Sequence, residues 1–181
     1  MKKIAYCFIL VALFIQGLNA MELPKPPSGF SWQEIPEIKA AFLKPDGWLY
    51  HRDEQKGTLG YFITKEWVGS DGQFQTGLTV NVFRGLRKGS AIEKGKELID
   101  NMASTHHATS FSRTSGSFQE FGCDLRDTDA SGTIFMHALT IANPKTDTLY
   151  LFIFESPESE WNSAWKIGEQ IMDSLAIDDA I

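Results

Sequence analysis

Between Cys123 and His137 the chain carries its most suggestive chemistry. Asp127, Asp129 and Ser131 alternate ahead of Gly132 and Ile134. That order matches the opening of an EF-hand calcium loop, with ligands at the first, third and fifth places, then the glycine, then an apolar residue. The twelfth place demands a bidentate Glu and holds Ala138, and the flanks read as strands rather than helices. A polar hairpin turn with at most a weak surface cation site is expected. Cys123 and His137 flank that turn and would approach each other across a hairpin. A thiol beside an imidazole is the beginning of a nucleophile–base pair, as in a hydrolase. No spacing supplies a third group to orient the imidazole, so a buried inert thiol and a satisfied strand histidine are the simpler expectation.

Other candidates are weaker. His106 and His107 are adjacent, and adjacent side chains diverge, whereas metal ligands on one element sit two or four residues apart. There is no Gly-x-Ser-x-Gly elbow and no phosphate-cradling loop with its Lys-Ser/Thr. Glu155, Glu158 and Glu160, with Asp178 and Asp179, bracket the last helix. Glu158 and Glu160 suit the positive end of a helix, a simpler account than a glycosidase carboxylate pair. No cofactor, metal centre or catalytic set is assigned, and binding is favoured over catalysis. Trp67 adjoins a loop containing Asp71, and an exposed Trp67 would mark a binding rim.

The elements that must position these residues are legible in part. Leu149–Phe154 is apolar at every place, so this strand needs cover on both faces. From Ser159 to Leu175 the residues Trp161, Ala164, Trp165, Gly168, Ile171, Met172 and Leu175 recur at helical spacing. A second helix follows Ser90, a candidate N-cap with Glu93 three residues on. Its apolar face is Ile92, Gly95, Leu98, Ile99, Met102 and Ala103. Strands are predicted at Ala40–Leu43, Trp48–Arg52 and Gly60–Lys65, forming an antiparallel meander through the turn Lys44-Pro45-Asp46-Gly47. Further strands fall at Gly77–Phe83, at Gln119–Arg126 as an edge, and at Thr133–Ala142, while Thr109–Ser117 is a polar strand or loop. Tight turns imply antiparallel pairing. The expected fold is α+β: an α/β/α sandwich with a mainly antiparallel sheet of six or seven strands, covered by two or three helices.

Lys2 and Lys3, the apolar run Ile4–Ile15 and the small Ala20 read as a cleaved signal peptide over residues 1–20. The run is shorter than the roughly 20 residues a spanning helix needs, so a membrane attachment would exist only through an uncleaved segment. The expected order is signal peptide, proline-rich linker over 21–33 and one domain over 34–181, in a periplasmic or secreted protein. Removing Lys2 and Lys3 would take the formal charge from −6 to −8, with 15 basic residues against 23 acidic. Such a chain is a poor partner for nucleic acid, and an unidentified protein or small ligand is the expected partner of a monomer. Cys123 alone would remain beyond the signal segment, which precludes an internal disulfide.

Phe42-Leu43-Lys44-Pro45-Asp46-Gly47-Trp48 resembles the Pro-x-Gly-Trp opening of the PsbP-like family, which includes the Mog-type Ran-binding proteins. The apolar strand ending Phe154-Glu155-Ser156-Pro157, the helix after it and the closing Ile171–Ile177 are similar to that family's ending. The resemblance spans about Pro36 to Ile177 and implies an α/β/α fold with a non-enzymatic binding or assembly role. It carries over neither the photosynthetic task of one branch nor the Ran partner of the other.

Overall fold

The computed structural model of the chain describes residues 23–55, 58–69, 73–129 and 132–178. Residues 1–20, read above as a signal peptide, lie outside the described residues. Strands β1 (Phe30–Ile35) and β2 (Ala40–Pro45) come first, joined by a single turn of 3-10 helix, Pro36–Ile38. Then follow β3 (Leu49–Gln55), β4 (Thr58–Thr64), β5 (Gly77–Phe83) and helix α1 (Ser90–Thr105). The second half holds β6 (Ser110–Ser115), β7 (Phe118–Asp129), β8 (Gly132–Asn143), β9 (Thr148–Pro157), helix α2 (Trp161–Asp173) and β10 (Ala176–Ile177).

The strands form two sheets, an antiparallel seven-stranded one in the order β3-β4-β5-β9-β8-β7-β6 and a three-stranded one in the order β1-β2-β10. The all-apolar β9 lies inside the large sheet, hydrogen-bonded to β5 and β8. Its alternate residues serve two cores. Leu149, Leu151 and Ile153 point towards α1, which lays Ala91, Gly95, Ile99 and Ala103 on the sheet. Thr140 Oγ1 donates to the Gly95 carbonyl at 3.1 Å, so the helix approaches closely where its side chain is smallest. Tyr150, Phe152 and Phe154 point the other way, into a core with Tyr61, Ile63, Leu78 and Val80. That face is covered by the small sheet, through Ile35, Ile38, Phe42 and Leu43, and by Ala164 and Ile171 of α2. Phe42 meets Phe152 edge-on at 5.9 Å. Each fully buried aromatic contributes about 1.5–3 kcal/mol by leaving water.

The fold is the expected α+β sandwich, with several differences in detail. The meander is made by β3, β4 and β5; β2 pairs only with β1 and β10. The break comes at Gly47, whose φ of +81° turns the chain out of β2 before β3 starts in the other sheet. Proline content suggested a linker through residue 33, yet Phe30–Ile35 is strand, paired with β2. Gly89 at φ 78°, not Ser90, is the N-cap of α1, and the Ser90 hydroxyl donates back to the Arg87 carbonyl. Ile92, assigned to the apolar face, is exposed. The segment Gln119–Arg126 is interior to the sheet; β6 takes the edge.

Candidate functional site

Register decides the fate of the Cys123–His137 pair. Cys123 stands opposite Ala138, and His137 stands opposite Asp124. Successive strand residues alternate faces, so the thiol and the imidazole emerge on opposite sides of the sheet. Cys123 is fully buried under α1, with its Sγ 4.0 Å from the Ile99 carbonyl oxygen. Burial, aided by the charges of Asp124 and Asp100, pushes the thiol up to about 11, so it stays protonated at neutral pH. The nucleophile–base pairing is thereby corrected: these two groups cannot share a proton.

The calcium-like stretch is also rearranged. Asp127 stands within β7 opposite Ile134, and pairing continues to Asp129 and Gly132. Ladder pairing therefore consumes most of the would-be loop, because β7 and β8 each run 12 residues. Ser131 lies outside the described residues, as does Asp71. No group of three metal-ligating side chains occurs among the described residues.

On the face shared by α2, His137 acquires the orienting partner that spacing did not reveal. Its Nδ1 lies 2.7 Å from Asp124 Oδ1. That hydrogen bond, more than the accompanying charge, holds the Asp124 carboxyl below the usual carboxylate range, against partial desolvation. The imidazole stacks on Phe111 at 6.2 Å and meets the tilted Trp165 ring at 4.7 Å. Trp165 in turn stacks on Trp161 at 5.3 Å and 9°, and Trp161 meets Phe135 at 5.6 Å. Arg126 sits over the Phe135 ring and bonds Glu158 at 2.9 Å. Phe111 can fold onto the sheet because residue 122 has no side chain: a Cβ there would lie 2.4 Å from the Phe111 ring.

The same face continues along β7 and β8 in cross-strand rows. Arg126 and Phe135 make the first row, Asp124 and His137 the second, Gly122 and Leu139 the third, Glu120 and Ile141 the fourth. Strand β6 adds Phe111 to the third row and Arg113 to the fourth. Glu120 is nearly buried and is held by the Arg113 guanidinium, whose side chain is 61% exposed. The far end opens into a cleft of about 700 Å³ between the β6–β7 hairpin and the end of α2, walled by Arg113, Phe118, Leu139, Ile141, Met172 and Leu175. This face thus has an aromatic end and, at the other, a mixed cleft in which the Arg113–Glu120 pair, Ser115 and Asp173 stand beside the apolar residues. Asp124, Glu120, Glu158 and Asp173 outnumber Arg113 and Arg126 along it. Sequence reasoning found His137, Trp161 and Trp165 singly. It missed Asp124, Glu120 and Arg113, whose only signal was the alternation of β6 and β7.

Two further residues stand away from the groove. Trp67 is 78% exposed, just beyond β4. Glu155, on the α1 side of the sheet, is flanked by Gly77 and Met136 across the strands. Burial pushes its carboxyl up to about 7.

The PsbP protein of the cyanobacterium Synechocystis, CyanoP, superposes with a TM-score of 0.50 at 12% identity, over 84% of this chain and 95% of that one. The Ran-binding protein Mog1p of Saccharomyces cerevisiae gives 0.52 at 11% identity, over 82% and 95%. The fold is of the PsbP/Mog type. LpqN of Mycobacterium tuberculosis, described as involved in cell envelope biogenesis, shares this PsbP/Mog-type fold at 0.50 and 8% identity, over 82% of this chain and 90% of its own. No family model and no curated protein matches the sequence. Identities this low carry the fold and not the task. Among the described residues no helix is long and apolar enough to cross a membrane.

Proposed function

We propose that the protein is an exported binding module without catalysis, and that it holds a segment of a partner protein in the groove between α2 and β6–β8. The observation that carries this is the continuous run of cross-strand rows joining the Trp161–Trp165–His137 aromatics to the 700 Å³ cleft. Aromatic anchors beside a polar rim are the composition of a protein-binding surface. The excess of carboxylates favours a basic segment, and the partly buried indoles of Trp161 and Trp165 attract its cations. Mog1p is Ran-binding by name, which supports a protein partner for the same fold. Export rests on Lys2, Lys3 and the apolar Ile4–Ile15 run, with the envelope link of LpqN in support.

The test is titration of the indole fluorescence with short peptides of one apolar pattern carrying either basic or acidic residues. Basic peptides should bind, and Asp124→Lys, at a side chain 75% exposed, should weaken them about fivefold, or ~1 kcal/mol. Equal binding of acidic and basic peptides, or no response to that change, would sink the groove reading. N-terminal sequencing of the exported protein tests the leader, and a start at Met21 is the expected result.

A further inference from the structure

The two edges of the large sheet are defended differently. Edge strand β3 carries Arg52, Asp53 and Glu54, and Arg52 is tied to Glu37 at 3.1 Å and to Glu54 at 3.3 Å. Charges of this kind discourage strand addition. Edge strand β6, Ser110-Phe111-Ser112-Arg113-Thr114-Ser115, is exposed at every residue. It has no proline and no lysine, and its single charge is already met by Glu120 on the neighbouring strand. A six-residue strand without guards, hydrogen-bonded on one side only among the described residues, is a template for another strand.

We infer that β6 pairs antiparallel with β6 of a second copy of this chain, about a two-fold axis at Ser112. This goes beyond the groove reading and does not depend on it. A two-fold interface must be self-complementary, with residue i meeting j and j meeting i. Centred on Ser112, the pairing sets Phe111 opposite Arg113 of the other copy, twice. Both residues lie on the groove face, where Phe111 presents a 39% exposed ring over Gly122. A guanidinium can therefore cover that ring while still holding Glu120. On the other face Ser110 meets Thr114, and Ser112 meets its own copy. These are small hydroxyl residues that permit close approach, although Ser110 also donates to Asp100 and Thr114 exchanges bonds with Gln119. No like charges are opposed within the five-residue pairing of residues 110–114. The product is a continuous fourteen-stranded sheet, seven from each copy, in which two grooves meet across the axis.

The test is sedimentation of the purified protein from about 1 µM to about 1 mM at ordinary salt. The interface is small, so dissociation on the order of 10–100 µM is expected. Ser112→Lys places two ammonium groups face to face on the axis and should weaken the dimer at least about fivefold, with circular dichroism and melting temperature unchanged. Ser112→Cys should oxidise to a covalent dimer, because residues opposed across antiparallel strands lie about 4.5–5.5 Å apart at Cα, within disulfide reach. A monomeric mass at every concentration overturns the inference. So does a dimer that Ser112→Lys leaves intact and Ser112→Cys fails to cross-link.

Discussion

The ring of Phe154 occupies the space that a side chain at residue 168 would need. A Cβ built on Gly168 would lie 2.8 Å from three ring carbons of Phe154. The glycine lets α2 settle on β9 at close range, and Phe154 is fully buried with Trp161 and Trp165 against it.

Gly168→Ala is therefore expected to destabilise the fold, although alanine improves helix propensity by about 1 kcal/mol. The ring is fully buried against Trp161 and Trp165, and overpacking of this kind costs about 1–3 kcal/mol. Urea denaturation should show a lower midpoint. A midpoint equal to or above that of the unmodified protein would show that α2 can shift outward at no loss.

Glu155 makes stability depend on pH in an unusual direction. Burial raises its carboxyl to about 7 from an ordinary 4.5. Between those values the folded chain holds a proton that the unfolded chain has released. Stability is then greatest below the unfolded value and declines as pH rises through the folded one. The full shift corresponds to ~3 kcal/mol, and partial exposure of the side chain reduces this to about 1–3 kcal/mol. Glu155→Gln should remove the decline and be the more stable form at pH 8. Parallel stability curves for the two proteins from pH 4 to pH 8 would refute the assignment.

Cys123 should be inert while the protein is folded. Its thiol is buried and pushed up to about 11, so the thiolate is scarce and shielded. Alkylation by iodoacetamide at pH 8 should follow the unfolding rate, and urea should accelerate it by orders of magnitude. Cys123→Ala should leave peptide binding in the groove unchanged, since residue 123 faces α1 and the groove lies beneath α2. Fast labelling of the native protein would mean that α1 opens readily.

Much of the architecture was legible because it follows from local periodicity. The apolar run Leu149–Phe154 required cover on both faces, and β9 has it. The spacing from Trp161 to Met172 required a helix with one dry side, and α2 buries Ala164, Gly168 and Ile171. The partner of β2 was not legible. A short apolar strand followed by a turn looks the same whether the chain doubles back or steps into another sheet. What drew β2 away was pairing with β1, just before it across the 3-10 turn, and a contact remote in sequence with β10, Ala176–Ile177.

The groove shows the same division at the scale of single residues. Sequence alone determined that Cys123 and His137 lie on two strands joined by a tight turn, and that Trp161 and Trp165 share a helix face. Which strand face each residue takes was a matter of register, because the side-chain period is two and a slip of one residue reverses every assignment. With Asp129 set against Gly132, Asp124 rather than Cys123 falls beside His137. Only the closed sheet, with α2 laid across it, brought Asp124, His137 and Trp165 together. Their positions in the chain, 124, 137 and 165, are too far apart for any local preference to specify.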